Sequence, residues 1–300
     1  MMKKVLVFGG SGLVGSRFVK LNANQFDISA PQSQEIDILN KDQILKFTQQ
    51  SNPDTIINFA AFTQVEDAEA QKRDKEGICY LINAVGAKNV AEVCKEFGKK
   101  LIHISTEYVF DGRKENSPYT EEDKPSPINW YGITKLFGEE FVAESGCLST
   151  IVRISMPFSS FYQEKKDIAR FFLEELQAGR SIKAIEDQRV TPTVVSDIAA
   201  ALAHLVEAGS SGLYHVSSTD SVTPLEFAKT IAEVFKLNYS LINSIGLDEY
   251  NKEKKAKLLK FSWLNPTKFE REFGEGILHT VEEGLVLFKK EIDEQARNQL

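Results

Sequence analysis

The sequence predicts an α/β fold: a Rossmann-like, doubly wound parallel sheet with helices on both faces, plus a smaller C-terminal α/β domain. Three observations predict it. Apolar runs of strand length alternate with stretches of helical period, the pattern of a parallel sheet covered by helices. A glycine-rich turn follows the first of those runs, directly before a helix. The chain has 300 residues with no internal repeat or low-complexity segment, enough for one large domain carrying a smaller one.

Taken in order, KVLVFG (4–9) is a buried strand, and GLVGSRFVKLN opens the helix after it. A second strand ends near Ser29 or Ala30, and DTIINFAA (54–61) is a further one. Across residues 78–97, Ile78, Leu81, Ile82, Val85, Val90, Val93, Cys94 and Phe97 keep the i, i+3, i+4 stripe of a packed helix. KLIHIS (100–105) and LSTIVRIS (148–155) are strands on either side of a helix that carries Tyr131 and Lys135. After Ser155 the rhythm changes: MPFSSFYQEKKD reads as a loop entering a helix near 165–178. SDIAAALAHLVEA (196–208) and LYHVSS (213–218) resume helix and strand. A helix at 224–236, a Lys-rich stretch and a final helix near 280–297 complete the chain. The expected division is a dinucleotide-binding domain over 1–155, to which about 186–218 returns, and a substrate domain from about 156–185 and 219–300.

Composition narrows the class. An apolar fraction of 42% and a charged fraction of 26% are ordinary for a globular protein. The net charge of −7 supplies no basic field for nucleic acid or an anionic membrane. The opening MMKKVLVFGG is interrupted by glycine too early for a signal-peptide core, and no apolar run reaches bilayer length. Three cysteines without a C-x-x-C pair argue against a disulfide framework, and four scattered histidines against a metal site. The expectation is a cytoplasmic, acidic protein.

In FGGSGLVG, Gly9, Gly12 and Gly15 stand at G-x-x-G-x-x-G spacing between a strand and a helix. Backbone N–H groups at a helix start point outward and the helix dipole favours anions, while glycine lets a pyrophosphate approach the backbone. A dinucleotide is therefore expected, NADPH or NADH. An acid on the ribose usually follows the glycines by about 20 residues. Here Glu35 and Asp37 come after neutral residues and no arginine is near, so the choice stays open, with a slight lean to NADPH.

NWYGITK places Tyr131 one helical turn before Lys135, on one face. A ketone accepting a hydride needs a proton on its oxygen, and a phenol of pKa about 10 is poorly poised near neutrality. A lysine charge at about 4 Å in an effective dielectric near 20 is worth roughly 4 kcal/mol, or about three pK units. The stack thus suits a general acid, provided a hydroxyl orients the substrate oxygen. Ser105 and Thr106, at the end of the KLIHIS strand, lie where sites in open α/β sheets form.

Together the glycine turn, NFAA, Asn83 within LINAVGAKNVA, STEYVFDG and Y-G-x-T-K resemble the extended short-chain dehydrogenases/reductases. AAFTQVEDAE, YTEEDKPSPINWYGITKLFGEE and TPTVVSDIA narrow the resemblance to the dTDP-4-dehydrorhamnose reductase branch, over residues 5 to about 200. The resemblance implies Tyr131 as general acid, Lys135 as its partner and ribose contact, and Thr106 as the hydroxyl on the substrate oxygen. It implies that Gly9, Ser11, Gly12, Leu13 and Val14 cradle the pyrophosphate and that Asp37 and Ile38 meet the adenine. Ala60, Ala61 and Thr63 would line the cofactor and Asn83 support it. The substrate implied is a nucleotide-sugar; a homodimer is left open.

Three departures fall where the sugar would sit. Glu107 and Glu66 stand in place of the usual aspartates, RISMPFSSF replaces R-T-S-W-V-Y-G, and LLKFSWLNPTKFE replaces the usual Arg-Pro segment. The charge run NKEKKAKLLK (251–260) reads as a solvated helix face, with contact to a nucleotide diphosphate as the alternative. Segments 156–166 and 251–265 are expected to close over the sugar. A dehydratase would want two acids after the threonine, and Tyr108 takes the second position. Another nucleotide-sugar enzyme, such as an epimerase, stays open. So does a regulatory role like that of the methionine adenosyltransferase beta subunit.

Overall fold

The structure is a computed structural model and describes residues 1–161 and 166–298. In chain order its strands are β1 (Lys4–Phe8), β2 (Asp27–Ser29), β3 (Thr55–Asn58), β4 (Lys100–Thr106), β5 (Ser149–Ile154) and β6 (Pro157–Phe158). They continue with β7 (Ile182–Ile185), β8 (Arg189–Val190), β9 (Thr193–Val194), β10 (Gly212–Val216), β11 (Ile242–Ile245) and β12 (Phe261–Ser262). The helices are α1 (Leu13–Asn22), α2 (Lys41–Ser51), α3 (Val65–Ala70), α4 (Ile78–Tyr80), α5 (Ala87–Glu96) and α6 (Trp130–Glu144). After these come α7 (Ile168–Gln177), α8 (Val195–Ala208), α9 (Pro224–Val234), α10 (Leu247–Lys252), α11 (Thr267–Phe273) and α12 (Val281–Asn298).

Six strands form one parallel sheet in the order β10-β5-β4-β3-β1-β2. The alternation of apolar runs with helical stretches gives the sheet as predicted. Every residue of β3 and β4 is buried, as befits strands covered on both faces. Side chains alternate between two cores. Val5 and Val7 of β1 join Phe18, Ile198 and Leu202 from α1 and α8. Leu6 and Phe8 join Ile44, Val90, Cys94 and Val142 on the opposite face. Burying one such Ile, Leu or Phe is worth roughly 1.5–3 kcal/mol. From β1 the chain moves outward to β2 and then back across to β3, so the strand order reverses at the carboxyl ends of β1 and β3. That crevice is where ligands bind in open α/β sheets.

A separate apolar cluster joins Phe158, Phe172, Ile182, Phe227, Ile231 and Phe288. The short parallel pairs β6·β9, β7·β11 and β8·β12 lie outside the main sheet. Phe269 and Leu278, placed by sequence in the smaller domain, pack instead in the core beneath the main sheet. The two cores meet at a buried ion pair: Arg17 of α1 donates to Glu291 of α12, which also accepts from Ser196 and Ser160.

Two elements differ from expectation. The predicted helix over 78–97 is interrupted by a π-helical stretch, Leu81–Gly86, and Ile78 points outward, 44% exposed. Against this stretch α6 packs so closely that a Cβ on Gly138 would meet the Asn83 carbonyl at 2.3 Å. The charge run is not a helix face: α10 ends at Lys252, and Ala256 and Leu259 beyond it are buried. Lys252, Lys255, Lys257 and Lys260 stay in solvent while Ala256 and Leu259 anchor an irregular strap. Among the described residues no helix is long and apolar enough to cross a membrane.

Candidate active site

The turn from β1 into α1 is shaped by what its glycines exclude. Gly9 has φ +74°, and a Cβ there would lie 2.6 Å from the Ala60 nitrogen. A Cβ on Gly15 would lie 2.3 Å from the Gly9 carbonyl. Both are required by the chain itself. Gly12 is different: its Cβ would meet only the Gly9 oxygen at 3.4 Å, an ordinary contact. It caps α1 without a side-chain hydrogen bond, so the first N–H groups of that helix have no side-chain cap. An uncapped helix start at the switch point fits a pyrophosphate. Ser11 is exposed beside it, Leu13 half-buried, and the Val14 side chain belongs to the core, leaving its backbone to face the turn.

The far side of the crevice is held by Asn83. Its Oδ1 accepts from the Phe62 N–H at 2.8 Å and its Nδ2 donates to the Phe62 carbonyl at 3.1 Å. The same amide donates to Thr134 Oγ1 at 3.0 Å, tying the Ala60–Ala61–Thr63 loop to α6. Ala60 is fixed in turn by Asn58 Oδ1, 3.1 Å from its N–H. Ile38 is buried against Gly86. Asp37 is exposed, its carboxylate accepting from the Leu39 N–H at 2.9 Å.

Tyr131, Lys135 and Thr106 are brought together where β4 ends and α6 begins. Asn129 caps α6 by accepting from the Gly132 N–H at 2.9 Å, which sets Tyr131 in the first turn. Thr106 closes β4 and its hydroxyl lies beside the Tyr131 phenol. Tyr108 packs edge-on against Tyr131, ring centres 5.6 Å apart. Lys135 is buried one turn further on and donates to the Ile104 carbonyl at 2.7 Å.

The electrostatics differ from the sequence expectation. Burial first, and then the Glu107 carboxylate, push the Tyr131 phenol above its ordinary range, with the neighbouring Thr106 hydroxyl only a smaller counterweight. Lys135, expected to lower the phenol, is turned to the β4 backbone, and burial brings its own pKa down to about 8. Desolvation dominates here because both groups are cut off from water.

From sequence, Glu107 counts as a departure from the usual aspartate and as the single acid after Thr106. It is 4% exposed and accepts from Thr106 Oγ at 2.7 Å. Its own N–H and that of Met156 also reach the carboxylate, yet burial raises its pKa to about 7. Met156 holds a left-handed φ of +40°, a conformation costly for a residue with a side chain. Nothing in the sequence marks Met156, whereas an acid directly after the strand-end threonine was there to be read. The strap after α10 reaches the same cleft. The Lys255 N–H donates to Glu66 at 3.1 Å, and Asn129 Nδ2 reaches the Lys257 carbonyl at 3.4 Å. Ser155, immediately before segment 156–166, is buried beside Ser262. Residues 162–165 of that segment lie outside the described residues.

Comparison with known proteins shows which chains share this sequence and fold. A dTDP-4-dehydrorhamnose reductase from Bacillus anthracis, solved in complex with NADP, superposes with a TM-score of 0.88. It is 32% identical and the match covers 97% of this chain and 100% of that one. A dTDP-4-keto-6-deoxy-D-glucose reductase of Streptomyces niveus is 32% identical over 76% of this chain and 77% of its own. The methionine adenosyltransferase 2 subunit beta of Rattus norvegicus is 29% identical over 81% of this chain and 75% of its own. The family model for the RmlD substrate binding domain matches residues 2–292, and the chain belongs to that family.

Proposed function

We propose that this protein is an NAD(P)H-dependent oxidoreductase that reduces the 4-keto group of a nucleotide-linked 6-deoxyhexose, as a dTDP-4-dehydrorhamnose reductase does. The observation that carries the reading is the meeting of the Thr106 hydroxyl and the Tyr131 phenol at the carboxyl end of β4. A carbonyl oxygen between them receives one hydrogen bond from Thr106 and its proton from Tyr131. The nicotinamide cofactor supplies the hydride. Gly9, Ser11, Gly12, Leu13 and Val14 hold its pyrophosphate through the start of α1, and Asp37 and Ile38 border the adenine. Ala60, Ala61 and Thr63 line it under the clamp of Asn83. Lys135 contacts the ribose after leaving the Ile104 carbonyl, and its charge then favours the phenolate left behind.

The division into a dinucleotide-binding part and a sugar-binding part belongs to the same proposal, with the 251–265 strap serving the second. The test is a panel of nucleotide-linked 4-keto sugars, the dTDP sugar first, with purified protein and NADPH, following cofactor absorbance. Turnover of at least one sugar is expected. A second reading has the similarity to a methionine adenosyltransferase beta subunit in its favour. Tight NADPH binding without oxidation by any sugar in the panel would transfer the argument to that regulatory role.

A further inference from the structure

Glu107 is a buried acid that the proposed reaction does not use, in contact with a hydroxyl that it does use. Thr106 has one proton to donate and two lone pairs. As the site stands, the proton goes to Glu107 Oε2 at 2.7 Å, and Oγ accepts from the Tyr108 N–H at 3.3 Å while meeting the Tyr131 phenol. A substrate carbonyl oxygen can only accept hydrogen bonds. With the Thr106 proton on Glu107, none is left for it.

We infer, building on the reductase reading, that Glu107 is a positioning residue whose proton decides which way the Thr106 hydroxyl points. Ionised, Glu107 holds the Thr106 proton on its own Oε2. Protonated, it donates to Thr106 Oγ and turns that proton toward the substrate oxygen, beside the Tyr131 hydroxyl. No bond to the substrate is made by Glu107 itself.

The surroundings of Glu107 suit this. Among the described residues the ionisable groups facing it are Tyr131 from α6 and Tyr108 of its own turn, and burial raises both phenols. From the stretch after β5, the backbone N–H of Met156 reaches the carboxylate. Burial outweighs these donors and brings the carboxyl up to about 7, so both states are populated near neutrality. The active form is the protonated one, so activity is full below about pH 7 and declines above it.

The experiment is the pH profile of kcat/KM for wild type and Glu107→Gln, with NADPH and the best keto sugar. The glutamine amide donates to Thr106 at every pH. Wild type should lose about tenfold per pH unit above about 7. Glu107→Gln should hold its plateau until the Lys135 limb near pH 8. An unchanged limb near 7 in the variant overturns the inference. A second measurement needs no substrate and no active variant: infrared titration of the full-length protein, with the Glu107 carboxyl band identified by its loss in Glu107→Gln. Thr106→Val removes a donor to the carboxylate, so the Glu107 midpoint should rise by about one pH unit. An unmoved midpoint refutes the coupling even if the sugar panel succeeds. A raised midpoint with a silent panel upholds the coupling and discards the reductase reading alone.

Discussion

The turn between β1 and α1 and the stretch that follows β5 border the same cleft, and they reach it by different means. The first is a short local motif in which Gly9 and Gly15 leave room for the chain's own backbone. The second is assembled from distant pieces: the Met156 N–H on Glu107, Ser155 beside Ser262, Lys255 on Glu66. Strands β6, β8 and β9 there are two residues long, and Met156 sits in a left-handed conformation. A local motif fixes a ligand common to many reactions. A surface gathered from several loops can change its side chains without disturbing the sheet, which suits it to the sugar-binding role proposed for it.

The largest expected effect falls where the two sides meet. Tyr131→Phe removes the acidic hydroxyl and leaves the ring against Tyr108, so kcat should fall by about 10²–10⁴-fold. NADPH affinity and Tm should stay close to wild type. A variant retaining more than about a tenth of wild-type kcat would show that another group delivers the proton.

On the glycine side the comparison can be broken within one motif. Gly15→Ala forces a methyl to 2.3 Å from the Gly9 carbonyl, and Gly9→Ala adds a left-handed φ to a clash with Ala60. Each should lose about 2 kcal/mol or more of stability, read as a lowered Tm. Gly12→Ala meets no such contact and should fold normally while NADPH binding weakens by an order of magnitude, because the methyl occupies the space a phosphate needs. Equal losses of stability in all three would mean that Gly12 serves the fold and not the ligand.

This contrast also explains what the sequence revealed. The glycine turn, the Tyr131–Lys135 spacing and the strand-end Thr106 were readable because each follows from a backbone rule or a helical period. The clamp by Asn83 was only half readable: the residue stood out, but the π-helical stretch that aims it at Phe62 has no composition signal. The fate of the Lys135 charge does not follow from the spacing, because burial sets the balance. The strap over 253–265 was expected near the sugar, but its irregular, partly buried form was not legible. Its charge suggested solvent, and the contrary signal comes from Ala256, Leu259 and Leu264, buried apolar side chains spread among the charges.

A smaller effect is expected at the contact between that strap and the cofactor side. Glu66→Ala removes the acceptor of the Lys255 N–H, an exposed hydrogen bond, and frees one end of the strap. KM for the sugar should rise by about three- to tenfold with the NADPH Kd unchanged, since Asn83 still holds the loop at Phe62. If the cofactor Kd moves as much as the sugar KM, the strap does not separate the two functions.

The smallest effect concerns the choice between NADPH and NADH. A strong preference needs either a carboxylate on the ribose hydroxyls or a free cation on the 2′-phosphate. After β2 the two acids are engaged with their own loop: Glu35 accepts from the Gln32 N–H at 2.7 Å and Asp37 from the Leu39 N–H at 2.9 Å. The nearest cation in the following segment, Lys41, is paired with Glu92 at 2.7 Å, which raises the lysine's pKa and holds it on α5. Neither ribose is therefore gripped and neither is rejected, and the two dissociation constants should agree within about tenfold, or 1.4 kcal/mol. Calorimetric titration of both cofactors measures this directly. A larger ratio toward NADPH would mean that Lys41 leaves Glu92 for the phosphate, and Lys41→Ala should then erase it; a larger ratio toward NADH would mean that Glu35 or Asp37 turns to the ribose.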